Sequence, residues 1–381
     1  MKPAEIVRLR LHNQQLTRPT FTSPVEVVRW FGAMQSQDLA SSLYAIGLRM
    51  RHATEERVER ALASGSIVRS WPMRRTLHCM AAEDARWMIR MLASRGITRM
   101  KPYHRRMRIT DDDLERAGKV LETALARNTH LTRAQLYEQL KAAGVATDLP
   151  GLPMRGLHLL VHWALAGLIC VAGRREKQPT FALLEEWTPR GRDLSGDDAL
   201  AELATVYFRA HAPATVKDFA WWSSLPMAEA KRALLLIGDC LRAARVDGVE
   251  YWLMRDAPAA SSTALSVLLL PAFDEYTVAY ADRSVAADES QLRSISHGLS
   301  ANILVNGRIA GTWKRTLRAN GALSVTPQLL RILNKQEQAG LARAAEHYAA
   351  FIGRKLAARE KTQKPGTRIP GARMRKGQRH P

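Results

Sequence analysis

Thr215-Val216-Lys217-Asp218-Phe219-Ala220-Trp221-Trp222-Ser223-Ser224-Leu225-Pro226-Met227, with Asp247-Gly248 further on, decides the architecture. Thr215 and Asp218 stand at the positions of a helix cap, so a short helix starts here. Leu225-Pro226 turns the chain, and Met227 opens a second helix. Apolar residues then flank Asp247-Gly248, the strongest short-range signal for a two-residue β-hairpin. Short helix, turn, helix, hairpin is the order of a winged helix-turn-helix unit.

Working outward, the same order recurs. Thr132 caps a short helix and Gln135 closes its capping box, with Leu136 and Leu140 facing inward. A helix over 157–166 ends at Gly167, and strands over 168–172 and 180–184 flank a polar turn. Nearer the N-terminus, Ser23 caps a helix with Pro24 at its first position and Glu26 at the third. Val27, Trp30, Phe31 and Met34 make one apolar face, and the spacing predicts that this helix runs out near 35–38. A further helix spans 54–65, residues 67–80 read as strand, and 83–94 as helix. After residue 260 short strands take over, two of them joined by Asn306-Gly307, a type I′ turn signal. The expected fold class is α+β. Tandem winged helix-turn-helix units over 1–110, 111–190 and 191–258 precede a small β-rich domain over 259–330, a C-terminal helix over 331–358 and a basic tail over 359–381.

Composition narrows the function. Lys and Arg number 57 against 36 Asp and Glu, a net charge of +21. The tail carries +7 of this, which leaves +14 on the rest, an excess that points to a polyanionic partner. The longest apolar run, 265–273, is too short to cross a bilayer, so a cytoplasmic, nucleoid-associated protein is expected. Cys79, Cys170 and Cys240 form no CxxC pair and read as reduced core residues. No HExxH, Walker loop, GxGxxG or GxSxG motif is present, so neither metal nor cofactor is expected.

Gln35-Ser36-Gln37 is the triplet with chemical potential. On a continuous helix two amides one residue apart project to different faces. At a helix terminus both can aim at one point and hold a water by donating and accepting hydrogen bonds. Taken alone, the triplet reads equally as a solvated polar pair.

Five segments in order change that weighting: 34–38 (Met34-Gln35-Ser36-Gln37-Asp38), 70–78 (Ser70 to His78), 271–276 (Pro271-Ala272-Phe273-Asp274-Glu275-Tyr276), Asp282-Arg283, and 305–313 (Val305 to Trp313). Together they resemble the AlkZ/YcaQ-like winged-helix DNA glycosylases, over most of the chain. The Gln-x-Gln pattern resembles the AlkZ-like branch; the sister branch carries Asp where this chain has Gln37. Ser36, Arg75 and Ser224 depart from the family's usual aliphatic, Gly and Gly.

The resemblance implies monofunctional hydrolysis of N-glycosidic bonds to N7-alkylated purines in duplex DNA, and in some members the unhooking of interstrand crosslinks. It makes Gln35 and Gln37 the expected catalytic pair. Asp38 reads two ways, as a stabiliser of the sugar cation or as a helix-end residue. No lysine adjoins the motif, so Schiff-base lyase chemistry is not indicated. The expected DNA contacts are Arg74, Arg75, His78, Arg86, Arg90, Arg95, Arg99, Lys101, Arg105, Arg106, Arg283, Lys314 and Arg315, although His78 also reads as a core histidine. Asp274-Glu275-Tyr276 reads two ways, as a loop bracing the cleft or as a structural hydrogen-bonding element. The expected protein is a monomer on duplex DNA containing alkylated bases. The competing class is a non-enzymatic winged-helix regulator, which would prefer one duplex by ~10³ or more.

Overall fold

The computed structural model describes residues 1–188, 191–257, 265–295 and 299–357. The basic tail expected over 359–381 lies outside them. One element order appears three times. In the first unit, helices α1 (Pro3–Asn13) and α2 (Pro24–Phe31) precede strand β1 (Ala33–Gln35). Helices α3 (Leu39–Gly47) and α4 (Glu55–Ala63) follow, then the hairpin β2 (Ile67–Met73) and β3 (Thr76–Ala81). Helix α5 (Ala82–Arg106) leads to the second unit, α6 (Asp111–Leu125), β4 (Leu131–Thr132), α7 (Arg133–Ala142), α8 (Arg155–Leu165), β5 (Ile169–Arg175) and β6 (Gln178–Leu183). After the short α9 (Leu184–Trp187) the third unit has α10 (Gly196–His211), α11 (Val216–Ser223), α12 (Met227–Leu236), β7 (Leu241–Val246) and β8 (Val249–Met254). Its first strand is reduced to one antiparallel bridge, Ala214 to Trp252.

In each unit the first strand pairs with the last. The first two units fuse back to back: β2 meets β5 through Arg69 and Val171, giving one antiparallel sheet in the order β1-β3-β2-β5-β6-β4. Strand β1 is therefore an edge. A second sheet, β12-β11-β10-β9, is built from β9 (Val267–Leu270), β10 (Asn302–Val305), β11 (Arg308–Leu317) and β12 (Leu323–Leu329). Short helices α13 (Glu275–Val278) and α14 (Glu289–Ser294) lie between its first two strands, and α15 (Lys335–Phe351) follows.

This second sheet and α15 share one hydrophobic core with the first unit. Tyr44 of α3 packs against Trp313, Tyr348 and Phe351. Gly47 permits the closest approach: a Cβ there would lie 2.2 Å from the Phe351 ring.

Capping explains the helix starts. Ser23 with Glu26, Thr132 with Gln135 and Thr215 with Asp218 all form capping boxes. Several expectations need correction. Helix α2 does not run to residue 35: it stops at Phe31, and Gly32 takes a left-handed φ of +71° that breaks it. A Cβ at Gly32 would also lie 2.7 Å from Val206. Residues 67–80 are two strands turning at Arg74-Arg75, and the helix expected over 83–94 continues to Arg106. Trp222 is buried, whereas its neighbour Trp221 is about half exposed. Cys79 and Cys170 are buried, but Cys240 is exposed.

Candidate functional site

Gln35 ends the edge strand β1, opposite His78 of β3. Ser36 extends the ladder by donating to the Leu77 carbonyl at 2.7 Å. The Ser36 carbonyl does not complete the exchange with β3; it accepts instead from Nε and Nη2 of buried Arg69, at 3.2 and 2.7 Å. The Ser36 hydroxyl accepts from the same Nε at 2.9 Å and donates to Ser42. The Leu77 N–H that lost this partner is taken by Gln37 Oε1 at 3.2 Å. Burial thus alternates along the segment, with Ser36 buried between half-buried Gln35 and exposed Gln37. Gln35 lies on an extended strand, not a frayed helix end, and Gln37 follows it in a bend. Asp38 is the N-cap of α3, its Oδ1 accepting from Ser41 N at 2.8 Å.

The free edge of β1 is met by α13. Glu275 Oε1 accepts the Gln35 N–H at 2.7 Å, and Oε2 accepts from Trp222 Nε1 at 3.2 Å. His211 Nε2 lies 3.4 Å from that same oxygen. Burial alone would raise the Glu275 pKa, but His211, Arg74 and the Gln35 N–H outweigh it and hold the carboxyl at about 2. The sequence left Glu275 either bracing the cleft or in a structural hydrogen-bonding role; its place beside Gln35 could be suspected only from the ordered motif 271–276.

Arg74 and Arg75 form the β2–β3 turn with φ of +53° and +56°. Two non-glycine residues in this region cost about 1–2 kcal/mol each. Side-chain contacts offset part of that cost. Arg74 donates to the Val278 carbonyl at 3.0 Å and reaches His78 Nε2 at 2.9 Å. Arg75 lies over the Tyr103 ring at 4.4 Å. Ser224 ends α11 in the left-handed region, φ +64°, and its hydroxyl accepts the Arg74 N–H at 3.1 Å. The two departures from glycine thus meet in one contact region, and a β-bulge at Trp71-Pro72 aims the hairpin there.

The residues expected to contact DNA have different surroundings. His78 is fully buried, and its ring lies between the Arg74 guanidinium and the Thr76 carbonyl. Arg74 turns toward it and the Val278 carbonyl. Arg86, Arg90 and Arg95 pair with Glu185, Asp193 and Glu229, acids far along the chain. Arg99 donates to the Ser224 carbonyl at 3.2 Å. Arg283 is partly buried near Arg74, and Arg315 donates to the Tyr348 hydroxyl at 2.9 Å. Arg75, Lys101, Arg105, Arg106 and Lys314 are exposed, as are Arg90, Arg99 and Arg315 despite their partners. A narrow slot lined by Arg74, Arg75, Arg99 and Ser224 does not include Gln35 or Gln37. A wider cleft holds Arg90, Arg95 and Arg232, each matched to an acid.

His78 sets a pH dependence. Burial, then the Arg74 charge, push its pKa from 6.5 down to about 3. The unfolded chain therefore binds the proton first on acidification. Stability is expected to fall by up to about 1.4 kcal/mol per pH unit as pH drops from about 6.5 toward 3. Glu275 adds to the same trend between 4.5 and about 2, because its folded pKa is depressed. Urea unfolding at a series of pH values measures this, with His78→Asn flattening the upper part of the curve. A wild-type midpoint constant across that range would show that His78 is not held neutral.

The family described as DNA glycosylase AlkZ-like matches residues 28–351. An interstrand DNA cross-link repair glycosylase of Streptomyces sahachiroi is 24% identical over 330 residues, covering 81% of this chain and 87% of that protein. The solved DNA glycosylase AlkZ of that organism superposes with a TM-score of 0.77 at 21% identity, covering 93% of this chain and 98% of the other. At that identity the structural likeness is one of fold. Among the described residues, no helix is long and apolar enough to cross a membrane.

Proposed function

The chain belongs to the AlkZ-like DNA glycosylase family, and we propose that it hydrolyses the N-glycosidic bond of N7-alkylated purines in duplex DNA, interstrand crosslinks of that chemistry included. The observation that carries this reading is the pair of amides, Gln35 and Gln37, held on either side of a Ser36 clamped by Arg69.

An N7-alkylpurine is already cationic, so it departs without strong acid catalysis. What remains is to deliver water and to stabilise an oxocarbenium-like sugar, which fixed dipoles accomplish. Gln37 is anchored through its Oε1, which leaves its NH2 to donate to the water. Gln35 accepts a hydrogen bond from the same water through its carboxamide oxygen, and the proton this water loses on attacking the sugar passes to solvent as the base leaves neutral. Asp38 serves as the helix cap, and the sparse site suits a substrate that brings its own leaving-group charge.

We read the three repeated units as winged helices, acting as a monomer on nucleoid DNA. The phosphate contacts fall to the exposed cations, Arg75, Lys101, Arg105, Arg106 and Lys314, together with the general positive field. If about six phosphates are engaged, affinity for undamaged duplex falls by roughly 10³ between about 50 and 200 mM salt. Fluorescence anisotropy measures it, and a flat response to salt would refute the phosphate-driven mode.

The test of function is incubation with methylated duplex DNA and detection of free 7-methylguanine without strand scission by the enzyme. Tight binding with no base released from any alkylated duplex would favour a regulator.

A further inference from the structure

We propose that Glu275 is a positioning residue for Gln35, an inference that rests on the reading of Gln35 as a water-holding amide. Strand β1 is a sheet edge, so the Gln35 N–H faces away from β3, where no strand can accept it. Glu275 supplies that acceptor at 2.7 Å, from 240 residues along the chain. The carboxylate is itself held on its second oxygen by Trp222, with His211 alongside.

The loop that delivers Glu275 is built to hold it still. Phe273, two residues earlier, sits at φ +60°, a conformation a bulky side chain adopts only when its surroundings impose it. Asp274 caps α13 through Tyr276 N and is bound by both terminal nitrogens of Arg49, at 2.8 and 2.9 Å. Arg49 and Asp274 are fully buried. The chain Arg49–Asp274–Glu275–Gln35 thus fixes the end of β1 from outside the sheet. A buried, doubly anchored carboxylate bound to a main-chain N–H sets the position of the Gln35 backbone, and with it the amide at the end of the side chain.

The test is a cycle of Glu275→Ala, Gln35→Ala and the double variant, with Glu275→Gln as the conservative replacement. The measurements are single-turnover release of 7-methylguanine and duplex affinity. A misplacement of about 1 Å costs on the order of 10²-fold in rate, so Glu275→Ala is expected to slow release about 10–100-fold with affinity unchanged. Glu275→Gln keeps an oxygen for the Gln35 N–H and restores most of the rate. In the Gln35→Ala background, removing Glu275 has no further effect on release. Multiplying losses in the double variant, or a wild-type rate in Glu275→Ala, overturns the proposal. A wild-type rate in Gln35→Ala instead overturns the reading of Gln35 and is seen separately. Should Glu275→Ala fail to fold, hydrogen exchange at the Gln35 amide of the wild-type protein carries the test: protection supports the anchor, and exchange at the rate of an open edge amide overturns it.

Discussion

Alanine at Gln35 or Gln37 is expected to slow release of 7-methylguanine by roughly 10–10³-fold, the range for removing one preorganised dipole from a reacting centre. The loss falls on the chemical step, because these amides are assigned to water and not to phosphate. Duplex affinity changes little. The double variant loses less than the product of the singles, since both amides act on one water. The two positions differ in one respect. Gln37 also satisfies the Leu77 N–H, so Gln37→Ala removes a ladder contact as well as the dipole, whereas Gln35→Ala leaves its main-chain bond to Glu275 in place. Gln37→Asp retains part of the activity. Release at the wild-type rate by both alanine variants would make them ordinary surface amides.

The largest stability effect is expected at Asp274. Arg49 is fully buried, with two bonds to Asp274 and others to Gln14 and the Ala45 carbonyl. Asp274→Ala strands the guanidinium charge in the core, and breaking such a pair from one side costs about 3–5 kcal/mol. The same substitution removes the cap of α13, so base release falls too. Replacing both partners with leucine avoids the stranded charge and is expected to recover much of the stability. Urea unfolding, followed at the first transition, measures each variant. A midpoint for Asp274→Ala equal to wild type would mean that the pair contributes nothing.

Local rules made much of this fold legible. Capping boxes at Ser23, Thr132 and Thr215 marked helix starts, and Asp247-Gly248 and Asn306-Gly307 marked turns whose residues do take positive φ. Nothing local showed that Gln35 lies on a strand, because that strand is three residues long and exists only through its pairing with β3. Gly32 was the available signal, a glycine directly after an apolar helical run. The arginines of α5 looked like a free cationic face because their acids lie 99, 103 and 134 residues away. The triplet Gln35-Ser36-Gln37 could be picked out, but its clamp could not. Arg69 and Glu275 gain their meaning from long-range packing, and an arginine in a strand or a glutamate after an aspartate carries no such mark.

The shared core of the first unit and α15 also orders events in time. Ribosomes deliver Gly47 and its Tyr44 face roughly 300 residues before Phe351 arrives to cover them, roughly 15–60 s at about 5–20 residues per second. During that interval the nascent chain lacks the Phe351 ring that covers Gly47 and Tyr44. Gln35 is made 240 residues before its Glu275 partner, and the Phe351 cover over Tyr44 arrives after both. A ribosome-stalled chain ending before α15 would hold Gln35 and Gln37 without the Tyr348 and Phe351 cover over Tyr44.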